Sequence, residues 1–193
     1  MKNIKLTLLS AMIIICVVAS SCSYFSNSKK ESSNIDEWLD RTISFPWELK
    51  QLKGDVFLSL NNFEKENSNK NKIISIVDAS CMKCIVGNLN RTDSIFIILL
   101  SKDTSTVMVF VLNVNKRDSA SFVNIMKPEI KTKGIILWDN NFHFERKNNL
   151  FTPNLNNRTF MVNCDNKIVQ CGNPLFYPDL INRYRNKLEK TTQ

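Results

Sequence analysis

The chain has 193 residues, 43% hydrophobic and 9% aromatic, enough for one domain with a real core, which excludes global disorder. Its four glycines, Gly54, Gly87, Gly134 and Gly172, lie too far apart for a glycine-rich phosphate cradle, and one histidine, His143, excludes multi-histidine metal sites. The formal charge is +8, of which Lys2 and Lys5 belong to the opening segment.

That segment reads as an address. Lys2 and Lys5 precede an apolar run at residues 6–19, about 14 residues against the roughly 20 that a bilayer-spanning helix needs. A basic start, a short apolar core and the small residues Ala19-Ser20-Ser21 describe a secretory signal peptide over residues 1–21. The segment stops at Cys22 and resembles the lipobox of bacterial lipoproteins, with Ala19 where leucine is commonest. The resemblance implies cleavage before Cys22, lipidation of that cysteine and a polar tether over residues 22–33. The expected location is the cell envelope, on the periplasmic face of the inner or outer membrane or at the cell surface. An ordinary signal peptide with an incidental cysteine, or an uncleaved anchor, are the rivals. Loss of Lys2 and Lys5 leaves a charge of about +6. Arg183, Arg185, Lys187 and Lys190 share the last helix with Glu189 as a solvated face, so no nucleic-acid partner is expected.

The domain spans residues 34–193. Residues 34–53 read as a loosely packed lead-in, broken by Pro46. Residues 55–60 (DVFLSL) predict a short strand and 61–72 a polar loop. The run IISIV at 73–77 predicts a strand buried on both faces, ending at Asp78-Ala79-Ser80. Cys81-Met82-Lys83-Cys84 follows, and helical spacing then extends to about Leu100, with a break near Asn90 to Thr92. TVMVFVLNV at 106–114 predicts a second buried strand. Asp118 and Ser119 can cap a helix carrying Phe122, Val123, Ile125 and Met126, stopped by Pro128. GIILW at 134–138 predicts a third strand, and 140–157 a long polar loop. Residues 158–164 and 167–171 predict a hairpin turning at Asp165-Asn166, which sets Phe160 opposite Cys171 and Cys164 opposite Lys167. After Pro178 a closing helix buries Leu180, Ile181, Tyr184 and Leu188. This order predicts an α/β fold with a mixed parallel and antiparallel central sheet, a right-handed crossover and helices on both faces.

The informative site is Cys81-Met82-Lys83-Cys84, at the end of a strand and the start of a helix. There the first sulfur meets unpaired backbone N–H groups and the positive end of the helix dipole, which favour thiolate, the attacking species. Cys81 is the candidate nucleophile and Cys84 the candidate resolving thiol, able to attack a mixed disulfide and release product. IISIVDASCMKC, TVMVFVLN and RTFMVNCDNKIVQCGNP together resemble the thioredoxin-like superfamily, and within it the membrane-tethered thiol–disulfide oxidoreductases of bacterial envelopes. The resemblance implies a thioredoxin-like fold; no cofactor and no metal are expected. It also implies exported protein thiols and disulfides as partners, with a membrane redox partner beside them. It sets Asn157 at the family's cis-proline position and so marks Asn157 and Arg158 as substrate-binding candidates. Ser80 stands where the family often has tryptophan. Met82-Lys83 replaces its Gly-Pro, and that replacement points to a more oxidising pair with the direction of exchange open.

Two rivals compete: a non-catalytic thioredoxin-like binding lipoprotein, and a copper(I) carrier using both thiolates with His143. Asp78 is a candidate general base for Cys84 or a cap of the following helix. Cys164 and Cys171 are expected to pack as small apolar residues, and Phe45, Trp47 and Trp138 to fill core or lead-in packing.

Overall fold

The computed structural model describes residues 38–191 apart from 102, 153, 155 and 156; the expected signal peptide, Cys22 and the tether lie outside the described residues. Two long strands, β3 (Asn71–Asp78) and β4 (Thr106–Asn113), form the centre of the sheet. They run parallel, with Ile73 opposite Met108 and Val77 opposite Leu112. Successive side chains of a strand point to opposite faces, so an unbroken apolar run must be covered on both. On one face Ile73, Val77, Met108, Phe110 and Leu112 pack with Leu89, Phe96, Phe122, Tyr184 and Leu188. The alternate residues Ile74, Ile76, Val109 and Val111 are equally buried. Each such side chain contributes about 1.5–3 kcal/mol on burial.

The remaining strands are β1 (Lys50–Lys53), β2 (Val56–Ser59), β5 (Ile135–Asp139), β6 (Thr159–Val162) and β7 (Ile168–Cys171). The sheet has seven strands in the order β2-β1-β5-β4-β3-β6-β7. β5 is parallel to β4, whereas β1, β6 and β7 add antiparallel pairs. The expected mixed sheet flanked by helices is the observed one.

Several expectations are corrected. The described part of the expected lead-in, residues 38–53, is not loose: Trp38, Ile43, Leu49 and Leu52 are buried, and β1 pairs with both β2 and β5. Gly54 at φ +61° turns β1 into β2 over two residues, a geometry glycine adopts without a Cβ penalty. The polar stretch 61–72 holds a helix, α1 (Leu60–Asn67), whose Leu60, Phe63 and Asn67 form a buried stripe. Its polarity lies on the solvent side, so composition alone reads as loop. In the expected loop 140–157 sits α3 (His143–Asn148). The Asp139 carboxylate starts it by accepting the His143 and Phe144 N–H groups at 3.0 and 2.8 Å. Phe45 joins Phe63 and Phe144 in one aromatic cluster, with centroids 5.1 and 5.5 Å away.

Helical structure begins at Met82, runs as a π-helical turn over Cys84–Leu89 and continues as α2 (Asn90–Leu99), so the irregularity precedes Asn90. Residues 116–129 form four short helical pieces rather than one helix; Phe122 is buried but Val123 and Ile125 are exposed. In the β6–β7 hairpin Phe160 does face Cys171, but the register slips between Met161 and Val162. The turn widens to three residues and closes through the Asn166 N–H donating to the Asn163 carbonyl at 2.9 Å, with Asn166 at φ +59°. Cys164 therefore sits exposed in the turn instead of packing, whereas Cys171 is buried.

The closing helix α4 (Leu180–Thr191) buries Tyr184 and Leu188, with Leu180 and Ile181 half-buried. The Tyr184 hydroxyl donates to the Gly172 carbonyl at 2.8 Å. Gly172 has φ +101°, and a Cβ there would stand 2.5 Å from Leu180 Cδ1. Gly172→Ala is expected to lose about 1–3 kcal/mol of unfolding free energy in urea denaturation, from backbone strain and displacement of α4.

Candidate active site around a vicinal dithiol

β3 ends at Asp78, and Oδ1 of its carboxylate accepts the Ser80 N–H at 3.0 Å, turning the chain. Ala79, fully buried, ties that turn to β4 by donating its N–H to the Asn113 carbonyl at 2.9 Å. Asp78 thus caps a turn and not the helix. The Cys81 carbonyl accepts the Cys84 and Ile85 N–H groups at 3.0 and 3.1 Å, so Cys81 begins the helical stretch. Its sulfur also accepts the Cys84 N–H at 3.3 Å. Ile85 and Leu89, both fully buried, hold the π-helical turn against the core. Cys81 and Cys84 are free thiols, each partly exposed.

Burial pushes the Cys84 thiol up to about 12, the Cys81 hydrogen bond and charge and the Asp78 carboxylate add to this, and Lys83 opposes it. In a Cys164→Ser background, iodoacetamide at pH 8 is expected to label Cys81 and spare Cys84. Labelling of Cys84 should begin only as the pH approaches about 11, as mapped by peptide mass analysis.

Behind Cys84 lies a recess of about 30 Å³, lined among others by Asp78, Asn88, Thr92, Arg158 and Asn173. Its floor is internally paired: Ser75 Oγ with Thr159 Oγ1 at 2.9 Å, and Asn173 Nδ2 donating to Thr92 Oγ1 at 3.0 Å. Of the two substrate-binding candidates, the structure brings Arg158 to this recess; Asn157 is buried outside its lining. All described peptide bonds are trans. The Arg158 carbonyl accepts the Ile76 N–H at 2.9 Å, joining this segment to β3.

The Arg158 side chain runs inward to a residue that sequence reasoning missed. Its Nη2 lies 3.2 Å from Glu145 Oε1, with side chains 13% and 0% exposed. Glu145 also accepts a hydrogen bond from Asn113 Nδ2. Burial pushes the Glu145 carboxyl above its usual value; Arg158 and Asn113 oppose this, whereas Asp139 and Asp78 reinforce it. Arg158 Nε, Asn113 Oδ1 and Asn157 Oδ1 are buried without a hydrogen-bond partner among the described residues. The available signal for Glu145 was its place beside Phe144 on an amphipathic helix, hidden because the segment read as loop.

His143 is elsewhere. It faces Glu48, Nδ1 to Oε1 4.0 Å, in a groove whose lining contains no cysteine. Among the described residues no group of three or more His, Cys, Asp or Glu side chains could hold a metal ion. Trp138 packs on Phe57 with centroids 5.0 Å apart, but Trp47, expected as packing, is 82% exposed.

No protein-family model and no curated protein matches the sequence. The structure, in contrast, defines a class: the fold is thioredoxin-like. It is similar to an uncharacterized thioredoxin-like protein from Porphyromonas gingivalis, with TM-score 0.53 and 21% identity over 78% of this chain and 95% of that one. It is also similar to a candidate protein disulfide isomerase from Bacteroides thetaiotaomicron, with TM-score 0.56 and 10% identity over 78% of this chain and 90% of that one. A third likeness is to a candidate thiol:disulfide interchange protein DsbE from Chlorobium tepidum, with TM-score 0.51 and 12% identity over 78% and 99%.

Proposed function

We propose that the chain is a thiol–disulfide oxidoreductase of the bacterial cell envelope, anchored by lipid at Cys22 and exchanging disulfides with exported proteins through Cys81 and Cys84. The observation that carries the reading is the dithiol's setting. Two partly exposed thiols stand where a sheet strand gives way to a helix, with a backbone N–H on the Cys81 sulfur. The thiol–disulfide proteins among the similar structures support it. A membrane redox partner resets the pair after each cycle.

The test is catalysis of insulin disulfide reduction by the purified protein with a small-molecule thiol as reductant. Acceleration over the thiol alone is expected, and its absence would overturn the reading. Titration against glutathione is expected to give a potential above thioredoxin's, about −270 mV. Incorporation of labelled fatty acid that is lost in Cys22→Ser checks the anchor. A second reading, a non-catalytic binding lipoprotein on the same scaffold, draws support from Arg158 in the recess beside Cys84. Under it, Cys81→Ala leaves the cellular phenotype unchanged.

A further inference from the structure

A second surface lies apart from the dithiol. Between the turn Pro46-Trp47-Glu48 and α3 is a groove of about 390 Å³ lined by those three residues with His143, Arg146 and Lys147. None of its lining residues belongs to the recess behind Cys84.

The turn is rigidly mounted. Phe45 stacks into the aromatic cluster with Phe63 and Phe144, and Leu49 is fully buried. The Leu49 N–H donates to the Pro46 carbonyl at 3.1 Å, closing the turn. Ser44 and Asn148 exchange two hydrogen bonds, 2.8 and 2.9 Å, which clamp the segment to the end of α3. With anchors on both sides, the Trp47 side chain is forced outward, 82% exposed. Next to it α3 presents His143, Arg146 and Lys147, at helical spacings of three and four residues, on one face. Arg146 and Lys147 are exposed, while Phe144 and Glu145 of the same helix are buried.

A projecting indole beside two cations matches the boundary between headgroups and acyl chains. Indole rings settle at that depth, and each Lys or Arg near an anionic surface adds about 1 kcal/mol. The chain's own layout brings a membrane within reach. Residues 23–37 separate Cys22 from the described body, a span of at most about 55 Å fully extended. Only nine further residues lead from Trp38 to Trp47.

We infer that the Trp47–Arg146–Lys147 face docks the domain on an anionic phospholipid surface, holding the body against the membrane that its lipid reaches. The inference rests on the proposed envelope location, and it concerns the domain's own surface rather than the lipid.

The experiment uses the full chain, as wild type and as Cys22→Ser, with vesicles of phosphatidylcholine alone or mixed with phosphatidylglycerol and brominated in the acyl chains. Quenching of tryptophan emission reports insertion. In both proteins quenching is expected with the anionic vesicles, to weaken as salt rises, and to be largely lost in Trp47→Phe. The double reversal Arg146→Glu/Lys147→Glu is expected to weaken binding to anionic vesicles by about 30-fold or more. Quenching unaffected by Trp47→Phe or by vesicle charge would overturn the inference. Shielding of Trp47 from aqueous acrylamide by an acidic peptide, with no quenching by the brominated anionic vesicles, would also overturn it, pointing to a protein partner. Because Cys22→Ser is carried in parallel, failure of the anchor shows as absent fatty-acid labelling while Trp47 quenching persists. Failure of the docking face shows as the reverse.

Discussion

Cys81→Ser is expected to abolish disulfide exchange, with a loss of about 10³-fold or more, while Cys84→Ser accumulates a covalent adduct with its substrate. In the proposed reaction the Cys81 thiolate attacks one sulfur of the substrate disulfide. That S–S bond breaks, one substrate sulfur leaves as thiolate, and a mixed disulfide forms. Cys84, after giving up its proton, then attacks the Cys81 sulfur. The second substrate thiolate leaves and the Cys81–Cys84 disulfide closes, so the substrate gains the two electrons that the dithiol loses. The order of roles follows from position. Cys81 lies at the start of the helical stretch with a backbone N–H 3.3 Å from its sulfur, whereas burial pushes the Cys84 thiol up to about 12. Non-reducing electrophoresis of the two variants with a disulfide substrate checks this. An adduct that forms in Cys81→Ser and not in Cys84→Ser would reverse the assignment.

The second large effect concerns the buried Arg158–Glu145 pair. Arg158→Leu leaves a fully buried carboxylate without its cation and is expected to cost about 3–5 kcal/mol in urea denaturation at pH 7.5. Glu145→Leu alone is expected to cost a similar amount by stranding the guanidinium. The double variant is expected to lose clearly less than the sum, because two apolar side chains carry no uncompensated charge. The sign of the pH dependence follows from Glu145. Its folded-state pKa is raised above the usual 4.5, so the protonated form favours folding, and that contribution is lost as pH rises through the raised value. Removing Arg158 takes away the larger of the two influences that oppose the shift. Arg158→Leu should therefore lose stability between pH 5 and 7.5 more steeply than the wild type does. Equal slopes, or additive losses in the double variant, would show that the pair is not coupled.

These two effects meet at one end of the sheet. Asp78 closes β3, Asn113 closes β4, and Asp139 closes β5, the three parallel strands. Asn113 holds Glu145, Glu145 holds Arg158, and Arg158 lines the recess behind Cys84. The polar network therefore connects the strand ends to the wall of the dithiol recess.

How much could be read in advance varied with the kind of signal. The two central strands were legible because IISIV and TVMVFVLNV are apolar at nearly every position, broken only by Ser75, Thr106 and Asn113, a density that points to a doubly covered strand. The buried stripe of α4 was legible from Tyr184 and Leu188, one helical turn apart on one face. Helix α1 was hidden because most of its surface faces water, leaving Phe63 as the one fully buried aromatic in a polar stretch. Helix α3 was hidden because its start depends on Asp139, which belongs to the preceding strand. The hairpin register was right at Phe160 and Cys171 but missed at Cys164, since Asn166 in the left-handed region lengthens the turn.

By itself the sequence determined the class of sheet and the position of the dithiol at a strand-to-helix junction, because both follow from local periodicity and chain order. The partner of Arg158, the outward thrust of Trp47 and the separation of His143 from the cysteines were decided only by the tertiary structure. Each depends on contacts between residues far apart in the chain, such as Asn113 with Glu145 and Ser44 with Asn148, which no local pattern records.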